Sequence, residues 1–536
     1  MKIIPCLHFV PSVCRLHKLG MLVLVLCLGL SNASCANTPT TDAKILHLIN
    51  RLSFGPSPGD LEKVKSMGVD PYIQQQLSPQ SIPESWSVNQ RLQSLSTLNL
   101  TPVELLVKYQ KQPQPRPRPL NVTQRQTRGR NPQVSPTPQI VETPQRMQPP
   151  SSPQKPVKSQ VGGRLILTQA VEARLVRGIE SPRQLQEVMV DFWYNHFNVF
   201  AGKDLTPFWV GAYEQEGIRP HVFGRFRDLL EATARHPAML VYLDNWLNTD
   251  PNSPGSKGKF KGLNENYARE LMELHTLGVN GGYTQQDVIV LARIFTGWGF
   301  SHPSRLNPAG YNFAFDSQRH DSSAKIFLGK TIAPGGIEQA EKALDILARS
   351  PATANHISYK LAQYFVADQP PPSLVKKLSR RFLETDGNIR AVLETLFRSE
   401  EFNDPKYYNA KFKTPYEYII SAYRATGIPV KNTGSVLMTL RQMGMPLYGC
   451  LTPDGYKNTQ EAWLSPDGMT KRLNFATMLS KGNNDKKNTN QDMVNPDQLA
   501  ATLGNRFSSK TQQAIASNPK NLKAAIILGS PEFMYH

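Results

Sequence analysis

The chain has 536 residues, 39% hydrophobic and 19% charged. That is enough apolar surface for a large core and excludes wholesale disorder, a collagen-like rod and a polytopic membrane protein. The formal net charge of +19 is mostly local: three basic residues open the chain, and residues 111–159 carry nine Lys/Arg against Glu142 alone. The diffuse remainder gives no support for a nucleic-acid partner.

Lys2, Arg15 and Lys18 precede the apolar run LGMLVLVLCLGL (19–30), and no acid occurs before Asp42. A run of 12 is too short to span a bilayer and fits a signal-peptide core. Cleavage after Ala36 would leave Ser34 and Ala36 at the small-residue positions; residues 1–36 therefore read as a signal peptide of an exported protein. A rival reading makes Cys35 a lipidated terminus, although Asn32 stands where such sites usually carry Leu. No later stretch is long and apolar enough to span. Four of five cysteines lie in the leader, so Cys450 has no intramolecular partner and reads as a buried thiol rather than a nucleophile.

Residues 37–110 read as the N-terminal helical part of the main domain. Asp70-Pro71 opens a short helix, and Thr101-Pro102-Val103-Glu104 is a capping box starting a helix to Tyr109. Residues 111–159 hold 12 prolines and almost no aliphatic clusters, the composition of a disordered insertion. Their basic charge suits an acidic glycan or an envelope protein; a solvated insertion between helices is the plainer reading. Residues 160–536 form the rest of the helical domain. Ser181-Pro182-Arg183-Gln184 precedes the run LQEVMVDFWYNHF, and Thr284-Gln285-Gln286-Asp287 starts VIVLARIF. Further helical runs fall at 219–234, 337–349, 352–366, 373–385, 388–399, 415–426, 434–443, 470–480 and 520–528. The best strand signal pairs Tyr311–Phe315 with Lys325–Leu328 as a small hairpin. The fold class is mostly α, a multi-helix bundle of one or two lobes with a small β-hairpin.

There is no phosphate loop, dinucleotide fingerprint, haem-attachment motif, HExxH helix or GxSxG elbow. Polar residues concentrate instead in LNENYARELMELHTLG (263–278). On an α-helix Asn266, Arg269, Glu270 and Glu273 share an arc of roughly 100°, with Glu265 at its edge and His275 pointing elsewhere. Glu270 and Glu273 present two carboxylates to one ligand, suited to a hard cation or to acid/base work; the plainer alternative is an exposed face with an Arg269–Glu273 pair. Asn195 and His196 end an aromatic helix after Asp191. His236-Pro237 opens a helix ending LDNWLN, where Asp244 needs a cation, a basic partner or solvent. His320-Asp321 follows the expected hairpin, and Thr296-Gly297-Trp298 closes a helix.

Together these segments resemble the bacterial family catalogued as domain of unknown function 1800. The resemblance runs through HLINRLSFGPSPGDL (47–61), VMVDFWYNHFNV (188–199), HPAMLVYLDN (236–245), NENYARELMELHTLGVNGGYTQQDV (264–288), ARIFTGW (292–298), HDSSAKIFLG (320–329) and the closing SPEF (530–533). It implies an exported, largely helical protein without a settled activity, often encoded beside a second exported protein. The residues shared with the family pattern are Asn195, His196, Asp244, Asn264, Glu265, Asn266, Arg269, Glu270, Glu273, His275, Trp298, His320 and Asp321.

The leading expectation is a hydrolase or metal-binding protein. In it Glu270, Glu273, His196, His320 and Asp321 carry the chemistry, while Arg269, Asn195, Asn264, Asn266 and Trp298 hold the substrate. A divalent cation is the cofactor such carboxylates would suit, though no metal ligand set is fixed by spacing. The alternative is a non-catalytic envelope or surface-assembly protein whose polar cluster is structural. A third reading joins His320-Asp321 to His196 or His236 in a metal-dependent phosphohydrolase set. The first requires these groups to converge on one pocket.

Overall fold

A computed structural model describes residues 41–109, 160–301, 313–482 and 493–536. The leader, the Pro/Arg segment 111–159 and the first residues of the expected 311–315 strand lie outside the described residues. The fold is mostly α: helices carry nearly every apolar stripe, and the described strands form two antiparallel pairs.

The helix boundaries follow local chemistry. Thr284 accepts from the Asp287 N–H while Asp287 accepts from the Thr284 N–H, a reciprocal cap that starts Gln285–Ile294. Thr414 and Glu417 repeat the device, with Pro415 at the first helical position. Thr101 and Glu104 do the same for Pro102–Tyr109. Two helices, Gln184–His196 and Pro415–Thr426, are buried almost all round and lie within one continuous apolar cluster. A helix buried on every face must still satisfy its polar side chains. Gln184–His196 does so through a charge network. Arg174, from Gln160–Glu180, donates to Asp191 at 2.6 Å and to Glu214 at 3.1 Å. Arg219 grips Glu187 through two bonds of 2.6 and 2.9 Å.

Two expectations need correction. Phe313–Phe315 does not pair with Lys325–Phe327. It pairs with Trp298–Phe300, while Lys325–Phe327 folds back on Lys330–Ile332. The second hairpin turns through Leu328 and Gly329, both at positive φ, so the tight local turn outcompetes the longer closure. The 263–278 segment is not one regular helix: Asn266–Glu270 is α-helical and Leu271–His275 is a π-helical turn. The wider turn changes the phase of everything after Glu270.

Candidate functional site

The π turn determines where the site lies. The last carbonyls of a helix have no partner within it. Here two of them are taken by imidazoles from other elements. His196 Nε2 meets the His275 carbonyl at 3.1 Å, and His356 Nε2 meets the Leu274 carbonyl at 3.2 Å. A carbonyl only accepts, so both imidazoles carry their proton on Nε2. That leaves a lone pair on Nδ1 of each. The His196 ring lies 6.1 Å, centroid to centroid, from both His275 and His356.

His196 and His356 line a cleft of about 570 Å³, within the range that holds a small ligand. Its floor is the end of Gln184–His196, through Asp191, Phe192, Asn195 and His196. One wall is the helix Pro351–Phe365, where Ala352, His356, Lys360 and Tyr364 recur every four residues on one face. The facing wall is the loop 454–459, and Leu277–Asn280, Thr414 and Glu417 complete the lining.

Asn195 fixes that loop. Its amide donates to the Tyr456 carbonyl at 2.8 Å and accepts from the Tyr456 N–H at 2.7 Å. The approach is close enough that a Cβ on Gly455 (φ +71°) would stand 2.2 Å from the Asn195 carbonyl oxygen. Only glycine fits there. Asn198 holds the preceding stretch through the Cys450 and Thr452 carbonyls.

The electrostatics of the cleft come chiefly from burial. It drives His196 well below the ordinary histidine value, helped by His275, His356 and Lys360. His356 falls to about 4, by burial and then Lys360. Buried His275 falls to about 3. All three are therefore neutral at pH 7. Asp191 is pushed up to about 6 by burial; the Arg174 guanidinium opposes this, and Glu417 adds to it. Lys360 is lowered by burial and by Lys457, with Asp454 opposing. Among the described residues His196 Nδ1 has no hydrogen-bond partner, and it is not sealed from solvent, so it opens to the cleft.

The residues singled out in the sequence do not meet in one pocket. Asn195 and His196 belong to the cleft. Glu270 is half-buried and lies outside the lining; burial raises it, followed by Glu273, with a further contribution from Asp454 of the cleft loop. Glu273 accepts from the Tyr283 hydroxyl at 3.5 Å. Arg269 pairs with Glu265 at 3.1 Å and Gln285 at 3.0 Å, rather than with Glu273. Asn264 and Asn266 tie their turn to the 243–248 segment through the Asp244 and Leu243 carbonyls. Asp244, at φ 59°, pairs with Lys203 at 2.7 Å, the basic partner its position called for.

Trp298, His320 and Asp321 form a separate corner under the strands. Trp298 is buried, with the Arg235 guanidinium 5.5 Å from its ring. His320 Nδ1 donates to the Thr296 carbonyl at 2.9 Å. Asp321 accepts from Arg293 at 2.6 Å and from Ser323, and stands 3.5 Å from buried Lys325. His236 accepts from the Ala238 N–H and caps its own helix. His320 and His236 are thus each engaged locally and line no part of the cleft. His275, expected to face elsewhere than the two carboxylates, is buried beside His196 and Phe197. Among the described residues, no group of three or more His, Cys, Asp or Glu side chains is placed to hold a metal ion.

Sequence reading missed Asp191, His356, Lys360, Tyr364, Glu417 and the 454–459 loop. The i, i+4 row on Pro351–Phe365 was the available signal, but such a row reads equally as a solvent face. Among the described residues no helix is long and apolar enough to cross a membrane.

The chain matches the family described as "Protein of unknown function (DUF1800)" over residues 47–535. Neither the curated proteins nor the solved structures contain a match.

Proposed function

Because the chain belongs to that family of unknown function, its activity has to be read from the cleft, and we propose that it is an exported hydrolase of a small polar substrate. The observation that carries the reading is His196: a neutral imidazole, held through Nε2 by the His275 carbonyl, with Nδ1 open to the cleft. In this reading Nδ1 takes a proton from water as the water oxygen bonds to the electrophilic centre. The bond to the leaving group then breaks, and the His196 imidazolium hands the proton it took to the leaving group, while Asp191 stays paired with Arg174. Glu270 acts from beyond the lining, through the charge it places near Asp454, and Glu273 acts through Glu270. A divalent cation would suit those carboxylates, and no step above is routed through one. The leader-like residues 1–36 support export, and the basic segment 111–159 supports attachment to an acidic glycan or an envelope protein.

The test is a panel of chromogenic carboxylic esters, phosphate esters, glycosides and peptides, offered to the wild-type protein and to His196→Gln. Turnover of at least one class by the wild type, lost by about a hundredfold or more in the variant at unchanged melting temperature, is the expected result. No turnover by the wild type, or equal turnover by both, contradicts the reading. It would favour the envelope-scaffold alternative, which the local pairing of Arg269, Asp321 and Asn264 supports.

A further inference from the structure

The charged groups lining the cleft are not equivalent. Asp191 is paired with Arg174 at 2.6 Å, and Asp454 with Lys457 at 2.6 Å. Glu417 accepts from the Thr414 N–H at 2.7 Å, as part of a helix cap. Among the described residues Lys360 has neither a hydrogen bond nor an ion pair, whereas Asp191, Asp454 and Glu417 of the same lining are each engaged. It is only partly exposed, and its Nζ is not among the sealed unpaired atoms, so the ammonium opens to the cleft. A largely desolvated ammonium whose nearby carboxylate, Asp454, is held by Lys457 costs free energy, which an anion in the cleft would return.

We propose that Lys360 anchors the oxyanion of the ligand, so that the substrate class is a small anionic molecule bearing a carboxylate or a phosphate. This deepens the cleft reading, and it rests on the cleft being a ligand site but not on hydrolysis. His356 stands one helical turn before Lys360, and its Nε2 bond to Leu274 keeps it oriented on the same face. The faces of Tyr359 and Tyr364 on the same helix line the cleft and offer apolar contact to the body of the ligand. The anion also serves His196. Lys360 disfavours a proton on that imidazole, and a bound negative charge neutralises Lys360 just when Nδ1 must accept one. On this account neutral analogues are poor substrates as well as poor ligands.

The experiment is isothermal titration of the full chain with inorganic phosphate and, separately, acetate, on the wild type, Lys360→Met, Lys360→Arg and His196→Gln. Lys360→Met removes an unpaired, partly buried charge and is expected to melt no lower than the wild type. The inference expects wild-type binding of at least one probe, weakened about tenfold or more in Lys360→Met and kept within about fivefold in Lys360→Arg. Which probe binds tells phosphate from carboxylate. Equal affinity in wild type and Lys360→Met, loss in Lys360→Arg as severe as in Lys360→Met, or no binding of either probe overturns it. Binding retained by His196→Gln while the hydrolysis panel stays silent would end the hydrolase reading and leave the anion anchor standing.

Discussion

Lowering the pH from 7 to 5 tests the burial of the imidazoles. His196, His275 and His236 are buried, and burial is the leading reason each is depressed, the latter two to about 3. In the unfolded chain each would titrate near 6.5. The folded state therefore refuses protons that the unfolded state accepts below 6.5. Stability from this source is complete above that value and is lost as the pH falls toward the folded values. At pH 5 the unfolded chain gains about 2 kcal/mol per histidine, or roughly 6 kcal/mol for the three. Asp191 acts oppositely: raised to about 6, it binds a proton more readily when folded and returns about 1 kcal/mol by pH 5, out of about 3 kcal/mol in all by pH 3.8. The net loss from these four groups is about 5 kcal/mol, and His47, His356 and His536, depressed for the same reason, add to it, so the total is at least of the order of a typical domain's whole stability. Urea unfolding at pH 7, 6 and 5 measures it. His275→Leu isolates one group, because its Nε2 is buried without a partner and no hydrogen bond is lost there. That variant should show a slope smaller by about 1.4 kcal/mol per pH unit between 6 and 5. Flat stability from pH 7 to 5, or an unchanged slope in His275→Leu, would refute the reasoning.

Asp321→Ala removes the acceptor of half-exposed Arg293 and of Ser323 and the carboxylate beside Lys325, whose ammonium keeps the Asp321 and Ser323 carbonyls and Gln339, and should cost about 1–3 kcal/mol; thermal melting checks it, and a loss within noise would show that the corner is not held by this carboxylate. Glu270→Gln removes a half-buried carboxylate that Glu273 and Asp454 repel and Arg269 attracts, so the melting temperature should hold or rise by the equivalent of no more than about 1 kcal/mol. A marked fall would instead support the structural role that the envelope-scaffold alternative requires. Asn195→Ala leaves the Tyr456 N–H and carbonyl without their partners, which should cost about 1–3 kcal/mol and speed hydrogen exchange at the Tyr456 amide; unchanged exchange would mean the loop is held elsewhere.

Much of the fold was legible because its signals are local. The caps at Thr101 and Thr284 were read from four-residue patterns, and both are formed as reciprocal hydrogen bonds. The expected 311–315 with 325–328 pairing failed because strand pairing is a choice among partners. Trp298–Phe300 contributes only three residues, with no alternation to announce them. The candidate site divided in the same way. Asn195 and His196 were found, since a polar pair ending an aromatic helix stands out. The opposite wall was not, because Lys360 and the 454–459 loop lie more than a hundred residues further on and come together only through tertiary packing. The Glu270–Glu273 arc was drawn on a uniform helix. The π turn at Leu271–His275 defeats that geometry, and nothing in LMELH distinguishes it from an α-helical stretch. The same turn supplies the carbonyls that orient the two imidazoles.

Nitrogen-15 NMR of the imidazoles of His196 and His356 tests the cleft most directly, followed from pH 7.5 to 5.5 without anion and with whichever of phosphate and acetate binds. Both rings should remain neutral with the proton on Nε2, and the His196 Nδ1 resonance should move on adding that anion. An imidazolium at neutral pH, a proton on Nδ1, or a resonance indifferent to the anion would contradict the account.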